Sequence, residues 1–245
     1  MTRNDRAGKL ASRIEAALRK HADAERAANE KRYLKSDLAF IGVPTPVFRR
    51  VLKDQLKAAP PLDRPALLDL VDELWANEVF ELRAAAVELL VLRGASLLPE
   101  DIGVVERLVR GSHTWALVDN LAAHVAGGLV ERLPELGSTL DRWARDPDFW
   151  VRRTAMLALL IPLRGGAGAF ERFARYADAM LEEKEFFIRK AIGWVLREVS
   201  KKRPELVARW LAPRMHRASR VTLREALKYL PPEARDALSR AARGL

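Results

Sequence analysis

A short helical motif that recurs at nearly constant spacing is the strongest constraint on how this chain can fold. Three segments align without gaps, each beginning with Phe and carrying Arg at its fourth position: Phe80–Ala86, Phe149–Ala155 and Phe186–Ile192. Trp115–Leu121 and a segment around residues 223–226 fit the same register more weakly. The fourth position falls at Arg83, Val118, Arg152, Arg189 and Arg224, with intervals of 35, 34, 37 and 35 residues. Such a period is typical of repeats in which helix pairs stack on their neighbours.

The rest of the sequence also has the pattern of amphipathic helices. Apolar residues recur at three- and four-residue spacing, and no stretch alternates as a strand would. Prolines and glycines fall between the helical stretches, and Thr45 before Pro46 predicts a helix N-cap. We therefore predict an all-α fold, a HEAT-like helical-repeat solenoid (an α-α superhelix) with a concave groove as its binding surface. A single domain over residues 1–245 is expected, and an ordinary helical bundle is the alternative.

The distribution of charge favours a polyanionic partner. The net charge is +10, and residues 201–245 hold 12 basic and 4 acidic side chains, whereas residues 61–110 hold 5 and 10. Residues 1–60 are again basic. Both ends could contact a polyanion while the acidic stretch faces away, although a basic surface can also serve solubility alone.

Several kinds of site are excluded by what the chain lacks. It has no cysteine, hence no disulfide and no thiolate metal site, which suits a reducing cytoplasm. Its four histidines, His21, His113, His124 and His216, have no metal-ligand spacing, so we expect no metal. The glycine-rich segment 165–168 lacks the Lys-Ser/Thr pair of a phosphate-binding loop, and we expect no cofactor. The charged start and the short apolar runs predict a cytoplasmic protein without membrane contact.

One position of the repeat carries polar residues that require an explanation. The residue after the shared fourth position is Ala84, Asp119, Arg153, Lys190 or Glu225. In a stacked array these side chains should form a row. The row either binds a ligand or is held by salt bridges among its own members, and the pattern alone slightly favours the salt bridges. Trp115 lies one helical turn before Asp119, and Trp194 lies one turn after Lys190, so both indoles share faces with the row.

This combination suits the removal of a cationic base from a sugar. An N-alkylated purine is a good leaving group, and a single carboxylate such as Asp119 could stabilise the oxocarbenium-like sugar and orient water. The indoles of Trp115 and Trp194 could attract the cationic base, and Arg153 could hold a flanking phosphate. The alternative is structural, because tryptophans on helices are more often core residues and Asp119 could pair with an arginine.

Other members of these residue classes are assigned to structure. We predict that four tryptophans lie in the core or in repeat contacts: Trp75, Trp143, Trp150 and Trp210. The repeated arginines Arg83, Arg152, Arg189 and Arg224 are predicted to serve packing or ion pairing between repeats.

At these residues the sequence resembles the AlkD-type DNA alkylation repair glycosylases, from about Tyr33 to about Tyr229. Four stretches carry the resemblance in order: Phe40–Pro46 followed by Arg49-Arg50, Trp115–Asp119, Trp150–Ala155 and Lys184–Glu198. The last stretch is the most specific. The resemblance implies a HEAT-like repeat fold with duplex DNA in its concave groove. It also implies that the target base is not enclosed in a pocket, in contrast to enzymes that flip the base.

The resemblance further implies an activity and the residues that carry it. The activity is that of a monofunctional DNA glycosylase, a hydrolase of N-glycosyl bonds that removes cationic alkylated purines of the 7-methylguanine and 3-methyladenine type in base excision repair. The catalytic residues that match are Asp119, the flanking Trp115 and Trp194, and the supporting Arg153. The residues expected to contact the DNA backbone are Tyr33, Thr45, Arg49 and Lys190. We expect a monomer.

Two other functions remain compatible with the sequence. A non-catalytic HEAT-repeat protein that binds distorted or branched DNA would use the same groove and the same basic ends. A HEAT-type scaffold that binds proteins would not need them. Salt-sensitive DNA binding separates the scaffold from the other two functions.

Overall fold

The computed structural model describes residues 3–241, and the regular structure in this range is helical. The helices are α1 (Arg3–Arg19), α2 (Ala24–Leu34), α3 (Thr45–Lys57), α4 (Arg64–Trp75), α5 (Phe80–Leu92), α6 (Ile102–Arg110), α7 (Trp115–Asn120), α8 (Gly127–Arg132), α9 (Gly137–Trp143), α10 (Phe149–Leu157), α11 (Leu160–Arg164), α12 (Phe170–Ala179), α13 (Phe186–Ser200), α14 (Pro204–Leu211), α15 (Arg220–Ala226) and α16 (Pro232–Ala241). Over residues 3–241 the backbone forms no β-strand, and an isolated bridge joins Ala39 to Val79. The predicted all-α fold is confirmed.

The described chain groups into two compact units. Unit 1 comprises the residues up to Val104 together with Gly111–Leu121. Unit 2 comprises Val105–Arg110 and the residues from Ala122 onward. The single domain over residues 1–245 and the concave groove stay predictions. Between residues 3 and 241, no helix has both the length and the apolar character needed to cross a bilayer.

The repeat predicted from the sequence corresponds to helices that begin in equivalent ways. Helices α5, α7, α10 and α13 begin at Phe80, Trp115, Phe149 and Phe186, the residues with which the aligned segments begin. Side-chain oxygens cap three of them, from Thr114, Asp148 and Glu185, and Ser219 caps α15 in the same way. A capping oxygen satisfies a backbone N–H that has no partner within the helix, so each cap marks where its helix starts.

The repeated arginines fasten these helices to the loops that precede them. Three of the four donate to the carbonyl oxygen six residues earlier: Arg83 to Asn77 (2.9 Å), Arg152 to Asp146 (2.6 Å) and Arg189 to Glu183 (2.6 Å). Arg152 also binds the Glu183 carboxylate at 2.9 Å, and Arg83 also donates to the Gly111 carbonyl at 3.1 Å. The prediction of packing or ion pairing between repeats is thus confirmed for Arg152 by its ion pair and for Arg83 by its hydrogen bond to Gly111.

The large aromatic side chains divide between core and surface largely as the sequence predicts. Trp75, Trp143, Trp150 and Trp210 are all buried. Trp115 and Trp194 are half-buried, so part of each indole remains available to a ligand.

The predicted N-cap of α3 is wrong. The helix begins at Thr45 itself, and Pro44 occupies the capping position without a side-chain capping bond. Proline has no side-chain oxygen that could accept from the first helical N–H groups, and the Thr45 side chain is left exposed on the first turn.

Candidate nucleic-acid interface

Helix α7 presents an indole and a carboxylate on its partly exposed side. Thr114 is buried and its hydroxyl accepts from the Ala116 N–H at 3.5 Å, which sets the start of this short helix. Leu117 and Val118 are buried, whereas Trp115 and Asp119, one turn apart, are half-buried. The chain then continues as π-helix over Leu121–Ala126, a geometry that is frequent at functional sites.

Tyr33 places a second aromatic side chain beside Trp115. Tyr33 lies on α2 and is 73% exposed. The edge of one ring faces the other at 88°, with the ring centroids 6.0 Å apart. The half-buried Trp115 and the exposed Tyr33, a predicted DNA contact, therefore lie side by side in unit 1.

A cavity of about 200 Å³ in unit 1 brings further predicted contacts together. Thr45 and Arg49 line it from α3, and Ala116 and Asn120 line it from α7. Ala84, the small residue that the repeat places where α7 has Asp119, is also in its wall. The Arg49 guanidinium lies 3.3 Å from a carboxylate oxygen of Glu88, and 61% of its side chain is exposed. The structure thus groups Tyr33, Thr45 and Arg49 with the helix that carries Trp115 and Asp119.

The same cavity is lined by a buried glutamate that the sequence analysis did not identify. Glu81 is 3% exposed, and its carboxylate accepts backbone N–H groups from Ile41 (2.9 Å), Gly42 (2.6 Å) and Val43 (3.2 Å). These donors belong to the Phe40–Pro46 motif. Glu81 lies in the first turn of α5, where acidic residues are common for local reasons, so its role has no clear sequence signal.

Arg153 in unit 2 is buried rather than exposed. Its side chain is 3% accessible, it donates to the Phe187 carbonyl at 2.6 Å, and its guanidinium carbon lies 5.9 Å from the centre of the Phe187 ring. A guanidinium placed in this way cannot hold a flanking phosphate directly. The hypothesis that Arg153 holds a flanking phosphate is therefore wrong for this structure, whereas the supporting role that the resemblance implies stays a prediction, compatible with the hydrogen bond of Arg153 to the first turn of α13.

Lys190 and Trp194 lie one turn apart on α13, and an acidic neighbour partly neutralises the lysine. The Lys190 ammonium contacts the Glu225 carboxylate of α15 at 2.5 Å, and Arg197 contacts its other oxygen. Burial alone would raise the pKa of Glu225, but Lys190 and Arg197 hold it below its ordinary value. The salt bridging expected along the polar row is therefore confirmed between Lys190 and Glu225.

Among residues 3–241, no three His, Asp or Glu side chains come together in a way that could hold a metal ion.

The chain is similar to one protein family in sequence and to several solved structures in fold. The model of the family described as DNA alkylation repair enzyme matches residues 14–230. A predicted DNA alkylation repair enzyme from Enterococcus faecalis shares 24% identity over 86% of this chain and 98% of its own, with a TM-score of 0.79. AlkD2 from Streptococcus mutans shares 18% identity over 83% of this chain and 99% of its own, with a TM-score of 0.60. Both likenesses support the helical-repeat fold. No curated protein matches the sequence significantly.

Proposed function

The chain belongs to the DNA alkylation repair enzyme family, and on that premise we propose that it is a monofunctional DNA glycosylase. It would hydrolyse the N-glycosidic bond of cationic alkylated purines, of the 7-methylguanine and 3-methyladenine type, in duplex DNA. The observation that carries the proposal is that Trp115 and Asp119 lie one turn apart on the partly exposed side of α7. The product would be an abasic site that base excision repair then processes.

The proposed reaction needs little acid catalysis. The bond between the sugar C1′ and the purine nitrogen breaks, and its electron pair leaves with the base, which becomes neutral. The Asp119 carboxylate stabilises the positive charge that develops on the sugar and orients a water molecule toward C1′. The water oxygen forms the new bond to C1′ and its proton passes to the carboxylate or to solvent.

The aromatic side chains would bind the cation and the strand around it. The indole faces of Trp115 and Trp194 favour a positively charged base and an electron-poor sugar. Tyr33, Thr45, Arg49 and Lys190 are proposed to contact the DNA backbone, where hydroxyl, guanidinium and ammonium groups bind phosphate oxygens. Arg153 is proposed to act indirectly, through its hydrogen bond to the Phe187 carbonyl. The enzyme is proposed to act as a monomer.

The decisive experiment measures release of 7-methylguanine from methylated duplex DNA. Asp119→Asn removes one negative charge at nearly constant volume, and we expect its single-turnover rate to fall by about 100-fold or more while DNA binding persists. Asp236→Asn serves as the matched control, because Asp236 is exposed on α16 and the substitution removes the same charge. Near-wild-type release by Asp119→Asn would remove this carboxylate from the proposed mechanism.

Two further outcomes distinguish the alternatives. A covalent enzyme–DNA adduct trapped by borohydride would mean that an amine attacks the sugar, and the mechanism would not be monofunctional. Salt-sensitive DNA binding without release of any alkylated base by the wild-type protein would instead favour a non-catalytic protein that recognises distorted or branched DNA.

A further inference from the structure

The segment between α2 and α3 is held in a conformation that side-chain-bearing residues rarely adopt. Gly42 has φ +83°, and a Cβ atom built there would lie 2.1 Å from the Asp23 carbonyl oxygen. The Asp23 N–H in turn donates to the Ile41 carbonyl at 3.1 Å. Glycine at this position lets the chain turn tightly against the start of α2, and the turn directs successive N–H groups of residues 41–43 toward one point.

An acidic side chain of the protein itself occupies that point. The Glu81 carboxylate accepts from all three N–H groups, at 2.6 to 3.2 Å, and is almost inaccessible to solvent. A carboxylate has only acceptor sites, so it can satisfy three converging donors, whereas an amide would turn an N–H₂ group toward some of them. Hydrogen bonds of this kind to an ionised group are stronger than those between neutral groups.

Further contacts attach the same segment to the beginning of α5. The Ala39 N–H donates to the Glu78 carbonyl, and the Phe80 N–H donates to the Ala39 carbonyl, both at 2.8 Å. The rings of Phe40 and Phe80 are stacked with their centroids 4.8 Å apart. The segment is therefore attached to the start of α5, and α3 begins directly after it at Thr45.

We infer that Glu81 is a positioning residue for the nucleic-acid-binding surface of unit 1. By holding residues 41–43, its carboxylate sets where α3 begins and so where Thr45 and Arg49 stand at the cavity beside α7. The inference rests on the proposed function in one respect, namely that duplex DNA is the ligand of Thr45 and Arg49. It does not depend on excision of a base.

The test compares Glu81→Gln with Glu73→Gln, which removes the same charge from an exposed position on α4 of the same unit. Affinity is measured with an undamaged DNA duplex at fixed salt, and amide hydrogen exchange reports on residues 40–46. We expect Glu81→Gln to speed exchange in that segment and to weaken DNA binding about tenfold. Glu73→Gln should leave both quantities unchanged. If Glu81→Gln does not fold, Glu81→Asp, which keeps the charge but withdraws it by one methylene, is measured in its place.

A double-mutant cycle separates positioning from general structural support. In an Arg49→Gln background, Glu81→Gln should weaken binding by about twofold or less, because Arg49, the charged one of the two groups that Glu81 positions, is already absent and only Thr45 remains to be displaced. An equal loss in both backgrounds, or faster exchange with unchanged DNA affinity, would overturn the inference. Failure of the proposed function is recognised separately, as wild-type protein that binds duplex DNA and releases no alkylated base.

Discussion

The Glu106 carboxylate accepts hydrogen bonds from three side chains of unit 2. The donors are Arg110 (2.7 Å), Arg142 (2.8 Å) and the indole N–H of the fully buried Trp143 (2.7 Å). The hydrogen bonds from Arg142 lower the pKa of Glu106 most, burial opposes them, and the result is a pKa of about 2 instead of 4.5. Glu106 thus joins α6 to α9 through an ion-pair network that Asp146 extends on the other side of Arg110.

This network predicts a pH-dependent contribution to stability. Because the pKa of Glu106 is lower in the folded chain than in the unfolded chain, its contribution is complete above pH 4.5 and is lost as the pH falls through about 2. Glu106→Gln should reduce the free energy of unfolding by about 2 kcal/mol at pH 7 and by about half of that at pH 3. Urea unfolding at the two pH values measures the difference, with the exposed Glu131→Gln as control. A loss that is equal at both pH values would contradict the shifted pKa.

At the scale of elements, the packing of α13 against α15 depends on a glycine. A Cβ atom at Gly193 would lie 2.7 Å from the Glu225 Cβ and 2.8 Å from the Thr222 carbonyl oxygen. Thr222 also donates through its hydroxyl to the Arg189 carbonyl at 3.2 Å, so the two helices are joined where they approach most closely. The close approach brings Glu225 within reach of Lys190 and Arg197.

Gly193→Ala should therefore destabilise the protein although alanine is the better helix former. One of the two close neighbours is a backbone atom and cannot move aside without shifting a helix, so we expect a loss of about 1 to 3 kcal/mol. Gly128→Ala on α8 is the matched control, because nothing lies within 4 Å of its added Cβ. It should be neutral or stabilise by about 0.5 to 1 kcal/mol. Thermal or urea unfolding of both variants decides the matter, and equal stabilities would refute the packing argument.

At the scale of the whole molecule, the excess of positive charge predicts salt-sensitive binding to duplex DNA. The chain carries 43 basic and 33 acidic side chains. Neutralising phosphates with basic side chains releases counterions, and log Kd then changes linearly with log salt by about 0.9 for each phosphate contacted. A scaffold that binds only proteins would show no such salt-dependent affinity for DNA.

Removing a single phosphate contact should change the slope of log Kd against log salt concentration by a measurable amount. Arg49→Gln is expected to reduce the slope by about one, because the Arg49 side chain is 61% exposed and its contact with Glu88 is a long one of 3.3 Å. Lys190→Gln should reduce the slope less, because the Lys190 ammonium contacts Glu225 at 2.5 Å and is less exposed. Arg93 is exposed and lies within the acidic stretch of residues 61–110, so Arg93→Gln should leave the slope unchanged. Titrations of fluorescent duplex DNA at several salt concentrations provide the measurement. If Arg49→Gln and Arg93→Gln had the same slope, Arg49 would not contact a phosphate.

Local patterns in the sequence were sufficient for the helical class, for the starts of several helices, though not that of α3, and for much of the core. Hydrophobic periodicity and helix capping depend on residues within about one turn of each other, so the starts of α5, α10 and α13 and the burial of Trp143 could be predicted without the fold. The same holds for Trp115 and Asp119, whose four-residue spacing places them one turn apart on any α-helix.

Only the tertiary structure decided which polar groups are paired and which are available. Charged residues such as Glu81 and Arg153 are usually exposed, yet both are 3% exposed here. Their partners, the N–H groups of residues 41–43 and the Phe187 carbonyl, lie 34 to 40 residues away along the chain. No local pattern encodes such contacts, because burial and hydrogen bonding over that separation depend on how the helices pack and on how closely their backbones approach.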